Sequence, residues 1–127
     1  MKTIRFKTSM ERREIEADAF VWQENFTEFK DWAKSRIRRV QIIDAMDDSF
    51  FETEYAFCPS GDESALYVWS RFGRPDPLDY TLILPGDLIV VTTSIDGQDF
   101  YPDKFWTIAN NSFGYLIMKG IIKYEDA

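Results

Sequence analysis

DYTLILPGDLIVVTTSIDGQDFYPDKF, residues Asp79 to Phe105, is the stretch on which the fold reading turns. An apolar run, Tyr80 to Leu84, is closed by Pro85-Gly86-Asp87, and a second, Leu88 to Thr93, follows. Asp96-Gly97 then turns the chain into Gln98–Tyr101, which Pro102 ends. Short β-rich runs broken by Pro-Gly and Asp-Gly turns predict a three-stranded antiparallel meander. Its apolar runs and turns are accounted for by folding alone, so the stretch reads as scaffold.

Working outward, Glu14–Trp22 (EIEADAFVW) alternates, with Ile15, Ala17, Ala19 and Val21 on one face. The other face starts acidic and becomes aromatic at Phe20 and Trp22, which need a cover. The next segment is the candidate for it. Asn25 and Glu28 form an N-x-x-E capping signal, and Phe26, Phe29, Trp32, Ala33 and Ile37 recur at helical spacing. The basic end, Lys34, Arg36, Arg38 and Arg39, suits a helix C-terminus.

Val40–Ile43, Phe50–Phe57 and Leu66–Phe72 read as further strands, with Cys58–Asp62 as a turn. Asp103–Asn110 reads as a short helix stopped by Asn110-Asn111. Tyr115–Tyr124 reads as the final strand, with Gly120 at a bulge. The order β-α-β-β-β-β-β-β-α-β predicts an α+β fold: an antiparallel sheet with one N-terminal helix, a short C-terminal helix and a C-terminal strand. At 127 residues without a linker or repeat, residues 1–127 are expected to form a single domain.

Composition narrows the chemistry. The chain has no histidine, which removes Ser-His-Asp and Cys-His catalysis and histidine metal sites. Its one cysteine, Cys58, permits no internal disulfide and suits a reducing compartment. No run is apolar for the ~20 residues a membrane span needs. Met1–Arg13 is basic but has no apolar core after it, unlike a signal peptide. These features point to the cytoplasm, with no membrane association. A net charge of −7 argues against direct nucleic-acid binding.

The charge is unevenly placed. Met1–Arg13 carries five basic residues against Glu11 alone, whereas Val40–Ser70 carries seven acids and no base. Within that block Asp44, Asp47, Asp48, Glu52 and Glu54 are candidates for docking a protein partner with a basic surface. Asp44, Asp47 and Asp48 lack the EF-hand pattern and read as an acidic turn rather than a metal site. Glu52 and Glu54 could form a carboxylate pair for glycosidase-type chemistry, but so many acids make some pair inevitable, and an enzyme using carboxylates and Mg²⁺ is the least favoured reading. No cofactor motif is present. An alternative is a binder or sponge for a nucleotide signal, with Trp22, Tyr101 or Trp106 stacking the base and Arg36, Arg38 or Arg39 holding phosphate. The eleven Phe, six Tyr and four Trp, with an edge strand near the C-terminus, point to self-association as a homo-oligomer.

Two stretches carry a resemblance. Ala19-Phe20-Val21-Trp22 with Glu24-Asn25-Phe26-Thr27-Glu28-Phe29, and Pro85-Gly86-Asp87-Leu88-Ile89-Val90 with Gly97-Gln98-Asp99-Phe100-Tyr101-Pro102, resemble a family of small uncharacterised phage and prophage proteins. The similarity covers Glu14–Arg36 and Leu66–Ile108, about half of the chain. The family's Cys after Tyr-Pro is Asp103 here, and its Lys-Pro-Asp is Lys104-Phe105-Trp106. Asp44–Ser64 and Asn111–Ala127 look like additions to a shorter core. The resemblance implies a phage-encoded accessory protein of the host cytoplasm and transfers no catalytic residue. Combined with the acidic block, it leads to the expectation of a non-enzymatic protein that binds a host protein, an anti-defence inhibitor being one form.

Overall fold

The computed structural model describes residues 3–23, 25–43, 55–60, 64–69, 81–102, 104–120 and 122–126. The first element is β1 (Thr3–Met10), paired antiparallel with β2 (Arg13–Val21). The sequence reading treats Met1–Arg13 only as a charged segment and omits β1, although Ile4 and Phe6 alternate with Arg5 and Lys7. The turn between the strands is Glu11-Arg12, both left-handed at φ 51° and 67°. Such a turn normally selects Asn or Gly, so this hairpin carries no turn signature.

α1 (Phe26–Arg36) follows as expected and buries Phe26, Phe29, Trp32 and Ala33. The Asn25 side chain does not cap it; instead its Oδ1 accepts from the Gln23 amide at 3.1 Å. The helix ends where the Ile37 amide donates to the Ala33 carbonyl, and Arg39 (φ 59°) turns the chain into β3 (Val40–Ile42). β4 (Tyr55–Pro59), β5 (Leu66–Trp69) and β6 (Thr81–Ile83) complete a four-stranded sheet in the order β3-β4-β5-β6. β3 and β4 are parallel; the other pairs are antiparallel. Cys58-Pro59 lies inside β4, not in a turn.

β7 (Leu88–Ile95), β8 (Gln98–Asp99), β9 (Trp106–Ile108), α2 (Asn110–Met118) and β10 (Ile122–Asp126) complete the chain. The second sheet is six-stranded, ordered β10-β1-β2-β7-β8, with β9 also on β7. The α+β class therefore holds, with the strand pairs antiparallel apart from β3–β4.

The meander is distributed differently from the expectation. Asp96-Gly97 closes the β7–β8 hairpin as read, but Pro85-Gly86-Asp87 closes none. β6 pairs with β5 and β7 pairs with β2, so this turn carries the chain from one sheet to the other. An antiparallel meander exists one step earlier, as β4-β5-β6.

The C-terminal assignment also shifts. Trp106–Ile108 is β9 rather than helix, and Asn110, read as a helix stop, begins α2. Tyr115–Met118 is helical, while the final strand starts at Ile122. Gly120 (φ 73°) ends the helix as a left-handed residue, its amide donating to the Ile117 carbonyl at 3.0 Å.

Both faces of the six-stranded sheet are covered. On one, Phe20 and Trp22 pack with α1 and with Phe57, Leu66, Val68 and Ile83 of the smaller sheet. Phe29 is the hub, its ring 5.4 Å from Phe20, 6.1 Å from Trp22 and 4.9 Å from Phe57, with edge geometry in each pair. The predicted cover for Phe20 and Trp22 is thus α1. The opposite face buries Ile4, Phe6, Ala17, Ala19, Leu88, Val90 and Ile108, with Phe113 and Leu116 of α2 packed against them.

Candidate functional site

Three polar arrangements stand out against this frame. The first is centred on Asp18. The β2 alternation that sends Ala17 and Ala19 towards α2 sends Asp18 to the α1 side beside Phe20, leaving its side chain 9% exposed. A carboxylate withdrawn from water needs compensating charge. Arg5, opposite it on β1, donates from Nε to Oδ1 at 3.2 Å, and Arg36 from the last turn of α1 donates from Nε to Oδ2 at 3.0 Å. Arg36 also donates to Ser35 Oγ at 2.8 Å, and its guanidinium lies 5.3 Å from the Trp32 ring centroid. The site ties the helix to the sheet.

The second is the Pro85-Gly86-Asp87 turn. Leu84 donates its amide to Asp87 Oδ2, and Asn110, the first residue of α2, donates to Oδ1, each at 3.0 Å. Asp87 therefore caps α2 from a distance, supplying an acceptor that Ala109 at the N-cap position lacks. The turn also closes the end of β2, because Gly86 donates to the Trp22 carbonyl and Trp22 to the Asp87 carbonyl. At Gly86 (φ 92°) an added Cβ would stand 3.0 Å from Asn110 Cγ, so the approach of turn and helix requires glycine.

The third is formed by Phe100, Tyr101 and Pro102, which leave β8 and dock on the end of α1, with Lys104 and Phe105. Arg38 donates its amide to the Pro102 carbonyl at 2.6 Å, and the Tyr101 hydroxyl donates to the Lys34 carbonyl at 3.4 Å. Phe105 reaches the core, 4.9 Å from Phe57. Phe100 and Tyr101 remain exposed at 46% and 50%. A shallow groove of about 230 Å³ lies between Phe100, Pro102, Lys104, Phe105 and Trp106 over Val90 and Thr92.

The residues nominated from sequence are thus partly gathered and partly dispersed. Tyr101 and Arg38 both lie at the C-terminal end of α1, Tyr101 through its hydroxyl on the Lys34 carbonyl and Arg38 through its backbone amide on the Pro102 carbonyl, with exposed Arg39 next in the chain. Arg36 is committed to Asp18. Trp22 is fully buried and its indole nitrogen donates to the Ser64 carbonyl at 3.0 Å, which anchors two segments and leaves no stacking face. Trp106 is half-buried, its ring 6.4 Å from Phe6. Its indole N–H, like that of Trp32, is buried without a hydrogen-bond partner among the described residues. Asp44, Asp47, Asp48, Glu52 and Glu54 lie outside the described residues, in the 43–54 connection between β3 and β4.

Cys58 is fully buried, the environment of an inert thiol. Among the described residues no three His, Cys, Asp or Glu side chains gather as a metal site, and no helix is long and apolar enough to cross a membrane. Asp18 and Asp87 are the structural carboxylates that sequence reasoning passes over. The signal for Asp18 is its place between two alanines on an otherwise apolar half-strand, with Arg5 on a preceding alternating strand. Asp87 carries no separate signal, since Pro-Gly-Asp already reads as a turn. Comparison of the chain with protein-family models, with curated proteins and with solved structures found no match.

Proposed function

We propose that the protein is a non-enzymatic accessory protein of phage or prophage origin that works in the host cytoplasm by binding a host protein with a basic surface, an anti-defence inhibitor being the specific form. The observation that carries this reading is charge segregation: seven acids and no base across Val40–Ser70. The fold adds support. The basic side chains of Arg5, Lys7 and Arg36 are engaged with Asp18 and Glu16 on the six-stranded sheet. The acidic connection springs from the other sheet, where β3 and β4 anchor its two ends. An acidic segment raises the encounter rate with a basic partner and sets orientation. Pull-down from host lysate with the native chain and with Asp47, Asp48, Glu52 and Glu54 reversed to Lys is the test. A partner recovered only by the native chain is expected; equal recovery by both refutes the reading.

A second reading, a nucleotide-signal binder, is favoured by the placing of exposed Tyr101 and exposed Arg38 at the same end of α1. The ring supplies a stacking face and the guanidiniums of Arg38 and Arg39 a charge for phosphate. Thermal-shift screening with mono-, di- and cyclic nucleotides tests it, because a ligand that binds only the folded chain raises its melting temperature. No shift at millimolar nucleotide would refute it.

A further inference from the structure

The outer edge of β10 has no strand beyond it among the described residues. An unpaired edge presents free backbone donors and acceptors to any strand that fits. The register across the sheet shows what fits. One row runs Asp18, Arg5, Glu125 and alternates in sign. The next row runs Glu16, Lys7, Lys123 and ends with like charges opposite each other. Within these rows Arg5 meets Asp18 at 3.2 Å and Lys7 meets Glu16 at 3.8 Å. Lys123 on the edge strand thus has a like charge as its register neighbour on β1.

We infer that β10 pairs antiparallel with β10 of a second copy of this chain, about a two-fold axis through Tyr124, joining the two six-stranded sheets into one. Ile122-Lys123-Tyr124-Glu125-Asp126 is self-complementary in that register. Each Lys123 stands opposite the partner's Glu125, twice over by symmetry, and both charge rows then continue with an acid beside each edge lysine. Opposite residues must share a face, so the axis passes through a residue. Centring on Lys123 or Glu125 would set like charges together. Centring on Tyr124 also engages every residue of the strand.

A second observation points the same way. The axis stands perpendicular to the sheet and leaves both copies of α2 on one face, flanking the seam. α2 runs into β10 through Lys119-Gly120, and it is the element that exposes Tyr115, Ile117 and Met118, the last at 76%. Apolar side chains left in water beside an open edge are what a symmetric seam covers. This interface is independent of the acidic segment and of the host-protein reading.

The test uses the full chain and its native mass by sedimentation equilibrium. Wild type is expected at twice the 15.0 kDa chain mass in the micromolar range. Lys123→Glu sets Glu against Glu across the seam, and Glu125→Lys sets Lys against Lys. Each alone should raise the dimer dissociation constant about tenfold or more. Mixed one to one, they restore opposite charges at both positions, so the mixture should return to the dimer mass. That rescue cannot come from misfolded chains. Wild type sedimenting as a single chain, a dimer that both variants keep, or a mixture that stays monomeric would each overturn the inference.

Discussion

The two faces of the six-stranded sheet are covered in opposite ways. On the α1 side the helix buries Phe26, Phe29, Trp32 and Ala33 against a second sheet, and aromatic rings touch throughout. On the α2 side no residue of the helix is fully buried, and Tyr115 and Met118 face solvent. Buried apolar area is the main source of stability, so the α1 side holds the fold together. α2 relies on Phe113, Leu116 and a cap borrowed from Asp87. The contrast teaches that one sheet can carry a structural face and a lightly held one, and that elements used for contact are drawn from the latter.

Substitutions that separate the two faces should rank accordingly. Phe29→Ala removes the ring that joins Phe20, Trp22 and Phe57, and should cost about 3–5 kcal/mol in urea unfolding. A loss below that of the half-buried Leu116→Ala would break the comparison. Asp18→Ala leaves Arg5 and Arg36 without their shared acceptor and should cost about 2–3 kcal/mol, because hydrogen bonds to a charged group are lost. Glu16→Ala, whose pair with Lys7 is half-exposed at 3.8 Å, should cost less than about 1 kcal/mol. Equal effects from the two would show that burial does not set the value of these pairs.

Asp87→Ala sharpens the comparison on the α2 side. It should cost about 1–2 kcal/mol, as for loss of an N-cap, and should speed hydrogen exchange at residues 111–114 while leaving α1 amides protected. Uniform acceleration in both helices would mean that α2 is not the separable element. The smallest effect is expected for Tyr101→Phe, below about 1 kcal/mol, since the hydroxyl donates to Lys34 at an exposed site. If nucleotide stabilises the native chain, Tyr101→Ala should abolish that shift.

Much of this architecture is written in local pattern. The alternation of Glu14–Trp22 predicts β2, and the spacing of Phe26, Phe29, Trp32 and Ala33 predicts α1 and the face it buries. Asp96-Gly97 predicts the β7–β8 turn. Each depends on residues a few positions apart, so sequence periodicity carries it. Of the candidate site, Tyr101 and Arg38 are legible as residue types, while their placement at one end of α1 is not, because it depends on hydrogen bonds between segments remote in sequence. The β1 turn escaped because Glu11-Arg12 adopts left-handed angles without the usual residues.

By itself, then, the sequence determined an α+β chain with its main helix, the face that helix buries, and an acidic block free of bases. Only the tertiary structure decided that Pro85-Gly86-Asp87 passes between sheets instead of closing a hairpin. The turn chemistry is the same in either case; what differs is which strand edge lies within hydrogen-bonding reach, and β5 and β2 take the two sides. Tertiary structure likewise made Asp87 the cap of α2 and Asp18 the acceptor of two arginines. A carboxylate's role depends on which donors packing brings to it, and Arg5, Arg36 and Asn110 reach Asp18 and Asp87 from other elements.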